Sequence, residues 1–373
     1  MHKHLHIVCL DVPYPADYGG VVDLFYKIVA LHAEGIMIHL HCFEYGRGKQ
    51  IELEKYCVEV HYYPRKSLLQ SFSFKVPYIV SSRRNKILFK NLLKDEHPIL
   101  FEGIHCTYYL FHPALAKRKM LVRLHNVEYL YYKNLAKTAT SFFKKQYFLL
   151  ESKLLRQYEK KVAAKVLCIT VTEDDKEIYK EQLGARSLRY LPVFIKNEQV
   201  ESKAGYGNYC IYHGNLSIRE NENMVLWLIN KVFNSISIPF VIAGKNPSVA
   251  LTEAVKRNKN ICLEANPSNR NMLDLIQNAQ INVLPAQNSA GIKIKLLNAV
   301  FNGRHCLVNA TAFSGTGLDA VCAMAETPSE FIKAIEMLYK LSFIEDDILE
   351  RQQILNDKYN NRKNAKALIH LIY

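Results

Sequence analysis

Apolar runs of strand length alternate along this chain with longer stretches whose hydrophobic residues recur three and four apart, which predicts a series of strand-loop-helix steps. LHIVCLDVP reads as a buried strand and PYPADYGG as a turn; Val21, Leu24, Phe25, Ile28 and Leu31 then mark one helical face over Val21 to Glu34. Gly35 stops that helix, and IMIHLHCF is the next strand. This is a βαβ unit opening a parallel sheet, whose ligands lie beyond the carboxyl ends of its strands. Its first loop carries Gly19 and Gly20 without the G-x-G-x-x-G spacing, so a nicotinamide or flavin cofactor is not expected.

The same pattern continues. Residues 61 to 90 mix aromatic and basic residues without a clean period, which suits either a surface resting on anionic lipid or a loop and helix with solvated lysines. Pro98 to Glu102 is a short buried strand followed by His105; MLVRL is another, followed by His125, Asn126 and Glu128 at the head of a helix. Histidine exchanges a proton near neutral pH and Glu128 is placed to orient it, although a histidine at a strand end also serves as a plain hydrogen-bonder. Residues 141 to 161 form a long amphipathic helix with a basic polar face, read as core packing. Thr172 caps the next helix, closed by Gly184; Glu173, Asp174 and Asp175 suit the first turn through the helix dipole, so no metal is assigned.

RYLPVFIKNEQVESKAGYGN breaks the pattern and reads as a linker between a first domain, residues 1–192, and a second, residues 205–354. The second series begins with the strand YCIYHG, the loop NLSIRENEN and a helix from Met224 to Phe233; PFVIAG and ICLEAN are strands, and Met272 to Asn278 a short helix. The tail is helical, with a last helix over 355–373 expected to complete the first domain. Between strands Ile281 to Leu284 and His305 to Val308 lies a turn ending in Gly291 and a helix from Ile292 to Phe301, stopped by Gly303. Lys293 and Lys295 stand in its first turn, where cations oppose the helix dipole; a bound phosphate between them resolves the conflict, and a surface loop with solvated lysines is the plain alternative.

Composition narrows the classes. The 373 residues exceed one ordinary core, and 49% hydrophobic with 23% charged residues is a globular balance. No window offers the ~20 apolar residues of a membrane span, and the chain enters a strand pattern too early for a signal peptide. The nine cysteines form no C-x-x-C pair and mostly sit in apolar runs, read as buried small hydrophobes in a reducing cytosol. Residues 1 to 190 hold 30 Lys and Arg against 19 Asp and Glu, most of the net +14, so the first half should meet something anionic. No nucleic-acid motif accompanies that charge, and nucleic acid is not an expected partner.

In order along the chain, the Pro13 to Gly20 loop, EGIH at Glu102, RLHNVEYLYY at Arg123, EKKVAAKVLCIT, YHGNLSIRENEN, VIAGKNP and SAGIKIKLLNAVFNG resemble the GT-B-fold glycosyltransferases, in particular glycosyltransferase family 4. The resemblance implies an α/β fold of two facing Rossmann-like domains with an interdomain cleft. A nucleotide diphosphate sugar is bound by the second domain and an acceptor by the first, with no other cofactor and no metal. Its donor residues are Gly19, Gly20, Gly214, Asn215, Arg219, Asn266, Gly291, Ile292, Lys293, Lys295 and Asn298; its acceptor residues are Glu102, His105, His125 and Asn126. His125, Glu128 and Lys295 are its catalytic candidates. It further implies retention of anomeric configuration, a hexose as transferred sugar, and a cell-surface glycan or lipid-linked saccharide as acceptor. The protein is then cytoplasmic, with peripheral contact to the inner face of an anionic plasma membrane. Relatives carry two glutamates where this sequence has Ala290 and Asn298, so a catalytically weakened relative binding nucleotide or glycan as a scaffold is the competing expectation.

Overall fold

A computed structural model of the chain describes residues 3–17, 19–287 and 291–373. Two compact units divide it, one holding residues up to Lys196 together with Tyr359–Tyr373, the other holding most of the chain between them. Gly291 and Ile292 group with the first unit.

The first unit has seven parallel strands, β1 (Lys3–Cys9), β2 (Ile36–Glu44), β3 (Glu59–Pro64), β4 (Ile99–Glu102), β5 (Met120–Leu124), β6 (Leu167–Thr170) and β7 (Leu188–Tyr190). They lie in the order β3-β2-β1-β4-β5-β6-β7. Its helices before the second unit are α1 (Gly19–Ala33), α2 (Leu68–Ser71), α3 (Tyr78–Ser81), α4 (Lys86–Leu92), α5 (Glu128–Thr138), α6 (Phe142–Lys165) and α7 (Glu173–Glu181). Alternate residues of β1 serve opposite faces, as strand geometry requires. Leu5, Ile7 and Cys9 join Leu24, Ile28 and Leu31 of α1 in one core layer, whereas Val8 joins Leu88, Leu92, Leu155 and Val162 in the other. Both faces are therefore covered, which is why the strands read as continuous apolar runs.

The second unit has six parallel strands, β8 (Cys210–Asn215), β9 (Phe240–Lys245), β10 (Ile261–Ala265), β11 (Ile281–Val283), β12 (His305–Val308) and β13 (Ala323–Met324), in the order β10-β9-β8-β11-β12-β13. Its helices are α8 (Arg219–Leu228), α9 (Val249–Lys256), α10 (Asn269–Asn278), α11 (Ile294–Asn302), α12 (Ala310–Phe313), α13 (Pro328–Tyr339) and α14 (Glu345–Lys358). The last helix, α15 (Asn361–Ile372), returns to the first unit and packs on α1. Asn361 fixes that return, since its Nδ2 donates to the Ile195 carbonyl at 2.7 Å and its Oδ1 accepts from the Ile195 N–H at 3.1 Å.

In each sheet the strand order reverses beside the first strand, between β1 and β4 and between β8 and β11. Crevices at such reversals, beyond the carboxyl ends of the strands, are where open α/β sheets bind ligands. Several elements differ from their sequence-based bounds. Gly19 and Gly20 begin α1 instead of lying in a loop before it. Helix α8 starts at Arg219, five residues before the expected Met224, because Glu220 and Glu222 in its first turn suit the helix dipole. The expected helix from Met224 ends in a separate π turn over Ile229–Phe233. Cys262, expected to be buried, is exposed on the sheet-edge strand β10. Among the described residues no helix is long and apolar enough to cross a membrane.

Candidate functional site

At the carboxyl ends of β1, β4 and β5 the first unit buries four charges together. Arg123 Nε and Nη2 each donate to Asp23 at 2.9 Å, and Lys27, one turn after Asp23 on α1, lies 3.0 Å from Asp23 and 2.7 Å from Glu102. Burial alone would raise the Asp23 carboxyl, but Arg123 and Lys27 outweigh it and hold it well below the usual carboxylate range. Glu102 is lowered in the same way by Lys27 and His125 against the effect of burial. The spare donors of Arg123 reach the carbonyls of Leu191 and Pro192, and Asp23 also accepts from the Phe194 N–H at 2.7 Å. Two anions and two cations thus neutralise one another and pin residues 191–194 to the sheet.

His125 is the partly exposed member, with its side chain 13% accessible. Its Nε2 lies 3.0 Å from Glu102 Oε2 and its Nδ1 3.8 Å from Asp23 Oδ2. The carboxylate that orients His125 is therefore Glu102, not Glu128 as the sequence suggested. Glu128 is buried one turn away, accepting from Asn126 Nδ2 at 3.4 Å, and burial pushes its carboxyl up to about 7. Glu159 lies behind it, accepting from the N–H groups of Glu128 and Tyr129 and from the Tyr179 hydroxyl, and is itself pushed up by burial to about 8. His105 folds back over Gly103 with its buried Nδ1 unpartnered among the described residues, and burial drives its pKa well below the ordinary histidine value. Arg83, buried, donates to the carbonyls of Leu10 and Ile79 under the same end of the sheet. Gly291 packs here as well: at φ +64° a side chain is strained, and a Cβ would stand 2.4 Å from Asn126 Oδ1.

The atoms of Asp23, Glu102 and His125 approach within 4.8 Å of one another, a spacing that suits metal ligands. Lys27 and Arg123 already pair with those carboxylates, so the cluster carries its own cations.

The second unit centres on Lys295 in the first turn of α11, a helix capped by Lys293. Its ammonium donates to the Tyr212 hydroxyl at 2.8 Å and to Asn221 Oδ1 at 3.1 Å, and stands 4.4 Å from the centre of the Tyr212 ring. These acceptors are neutral. Burial, helped by the charge of Lys293, pushes the Lys295 amine down to about 7. Gly214 lies alongside: a Cβ there would sit 3.8 Å from the Lys295 stem and 3.7 Å from Asn221. Asn215 and Arg219 are exposed at the carboxyl end of β8 and the start of α8. Gly244 has no room for a side chain, because a Cβ would lie 2.0 Å from the Gly214 carbonyl oxygen. Asn266 follows β10 at φ +53°, its Oδ1 accepting from the Asn246 N–H, so its side chain shapes the loop. Asn298 accepts from Asn302 Nδ2 within α11. Ala290 lies outside the described residues.

The sequence reading missed Asp23, Lys27, Tyr212 and Asn221. The first two are spaced i, i+4 on α1, which marks an ion pair but not its burial. Tyr212 and Asn221 lie within YHGNLSIRENEN, the stretch already singled out.

Two parallel units with first strands central and reversals beside them define the GT-B fold, and solved structures bear this out. TarM superposes with a TM-score of 0.66 at 9% identity over 100% of this chain and 99% of that chain. HepE of Anabaena, in complex with UDP and glucose, gives 0.65 at 10% identity over 99% of each chain. The pneumococcal O-GlcNAc transferase GtfA, in complex with UDP and GlcNAc, gives 0.63 at 10% identity over 100% of this chain and 98% of that one. In sequence the chain is 27% identical over 335 residues, 83% of its length and 84% of the other's, to an uncharacterized 44.6 kDa protein in the cps region of Klebsiella pneumoniae. No family model matches.

Proposed function

We propose that the protein is a glycosyltransferase that moves a hexose from a nucleotide diphosphate sugar to a cell-surface glycan or lipid-linked saccharide, with retention and without a metal. The observation that carries this reading is Lys295: an amine on a half-buried side chain in the first turn of a helix, held among the described residues by two neutral acceptors. Such an amine gains a full counter-charge when a diphosphate arrives, and the helix N-terminus adds its own N–H groups. Leaving-group charge is then neutralised by Lys295, Lys293 and backbone N–H groups beside Gly214, which is transition-state stabilisation by fixed dipoles and cations. The UDP complexes of HepE and GtfA, which share the fold, support the donor class. On the acceptor side, His125 oriented by Glu102 is placed to hold a hydroxyl, and the partners of Asp23 keep that end of the sheet rigid.

A peripheral contact with anionic lipid belongs to the same reading. Leu69, Phe72, Phe74, Phe142 and Phe143 are exposed among Lys66, Lys75, Lys144 and Lys145. Glu151 of α6 ties the two segments together by accepting from the Tyr78 N–H at 2.9 Å. Apolar side chains flanked by lysines suit a headgroup surface.

The Asn298 contacts favour one second reading, a scaffold with weak or no transfer. Its carboxamide oxygen is engaged by Asn302, so it offers a nucleotide ribose less than a free carboxylate would. Titration calorimetry with UDP-, GDP- and TDP-sugars, followed by donor hydrolysis with the sugar that binds, tests both. Binding with turnover supports the enzyme, binding without turnover the scaffold, and no binding of any sugar nucleotide removes both.

A further inference from the structure

Away from the carboxyl ends of the strands, the first sheet gathers histidines at its amino-terminal end. Strands β1 and β2 each carry two, His4 and His6, His39 and His41, at the alternate positions that share one face. The register sets His6 beside His39 and His39 beside Glu59, and His97 precedes β4 on the same side. The rings stack: His4 lies 4.6 Å from His97 and 5.3 Å from His39, centre to centre. Glu59 and His61 of β3 stand in register with His39 and His41 on this face, 3.0 Å apart, and apolar side chains of one core layer fill the rest, so a set of imidazoles here calls for a chemical reason.

Three of them converge. One ligand atom from each of His4, His39 and His97 lies within 4.8 Å of the others, and His4 Nδ1 is 3.0 Å from His39 Nε2. Around a tetrahedral zinc with Zn–N of about 2.0–2.1 Å, neighbouring nitrogens stand roughly 3.4 Å apart, inside that range. Glu59 Oε1 lies 2.8 Å from His39 Nδ1. A carboxylate on one ring nitrogen fixes the tautomer, holds the ring and leaves the other nitrogen's lone pair for a metal, the arrangement that zinc-binding histidines use. Behind the three, Asp95, His6, His41 and Tyr63 form a hydrogen-bonded chain, with His6 Nε2 3.0 Å from Asp95, His6 Nδ1 2.8 Å from His41 Nε2, and His41 Nδ1 2.8 Å from the Tyr63 hydroxyl. That chain makes a rigid wall. The outer three are only half-buried, so His4 and His97 have room to turn from stacking toward a common point.

We infer that His4, His39 and His97 form a binding site for a divalent cation of the zinc type, with Glu59 as the outer partner of His39 and a water completing the coordination. Imidazole nitrogens suit zinc and cobalt(II), and the set lacks the oxygen ligands that calcium and magnesium require. The site lies at the other end of the sheet from His125 and Glu102, so it is separate from any transfer chemistry.

The test uses the full chain without a histidine tag. Calorimetry with Zn²⁺ should show one cation per chain, and His39→Gln and His97→Gln should each weaken binding tenfold or more. Glu59→Gln should weaken it about 10- to 100-fold, as loss of an outer partner does. His112→Gln, on an exposed turn outside the cluster, should leave it unchanged. Co²⁺ bound to the unmutated chain should give the intense visible bands of a tetrahedral site, a readout that depends on no variant. Absence of zinc binding, a cobalt spectrum of the weak six-coordinate kind, or affinity unmoved in folded His39→Gln and His97→Gln would overturn the inference.

Discussion

Arg123 and Asp23 meet in a two-point ion pair, both bonds 2.9 Å long and both side chains inaccessible, and through it α1, β5 and residues 191–194 become one unit. Removing one partner of a buried pair leaves the other charge uncompensated. Asp23→Asn should therefore cost about 3–5 kcal/mol of the first unit's stability. Urea unfolding followed by circular dichroism measures it, and a loss under 1 kcal/mol would show that Lys27 and Glu102 rearrange to absorb the change.

With Lys295 as a diphosphate ligand, as proposed, nucleotide binding should depend on pH. With its amine pushed down to about 7, the unliganded protein carries the cation below that pH and loses it above. A diphosphate binds the charged form, so affinity should be highest below pH 7 and fall as pH rises past it. Lys295→Ala should weaken binding by ~1 kcal/mol or more and flatten the dependence. Calorimetry across that pH range checks both, and a wild-type affinity independent of pH would take Lys295 out of the site.

Gly244→Ala places a methyl group 2.0 Å from the Gly214 carbonyl at the ends of β9 and β8. Backbone must move to admit it, at about 1–3 kcal/mol for an overpacked position. Thermal unfolding should show that loss, and nucleotide affinity should fall with it because Gly214 borders Lys295.

His213, buried in β8, is lowered to about 3, chiefly by burial and then by the charge of Lys295, and its Nε2 has no partner among the described residues. A histidine neutral in the fold but free to protonate when unfolded contributes stability above its unfolded pKa of about 6.5. That contribution is lost as pH falls from 6.5 toward 3. His213→Phe should remove this share of the acid sensitivity, so its unfolding free energy declines less steeply across that window than the unmutated protein's. Equal slopes in denaturant titrations at a series of pH values would refute the assignment.

Much of this architecture was legible in the chain. Strands buried on both faces announce themselves as unbroken apolar runs, and Thr172, whose hydroxyl accepts from the Asp175 N–H at 3.0 Å, caps its helix as the sequence indicates. The lysines at the start of α11 were legible too, since cations at its cap, Lys293, and in its first turn, Lys295, oppose its dipole. What local patterns could not convey was who pairs with whom at long range. Asp23 and Arg123 are separated by 100 positions, and an aspartate followed four residues later by a lysine looks like any solvated pair. Glu128 stands nearest His125 in sequence, yet strand adjacency brings Glu102 of β4 beside β5 to serve it instead. The histidines left a signal, twice alternating at the same spacing, that gains meaning only once β1 and β2 are known to be neighbours.

The clasp of Asn361 on Ile195 has a consequence for synthesis. Because the segment that completes the helical layer over α1 is encoded after the whole second unit, the first unit leaves the ribosome with an apolar face of α1 uncovered. Anything that delays the last fifteen residues would prolong the exposure of an apolar surface in a nascent chain.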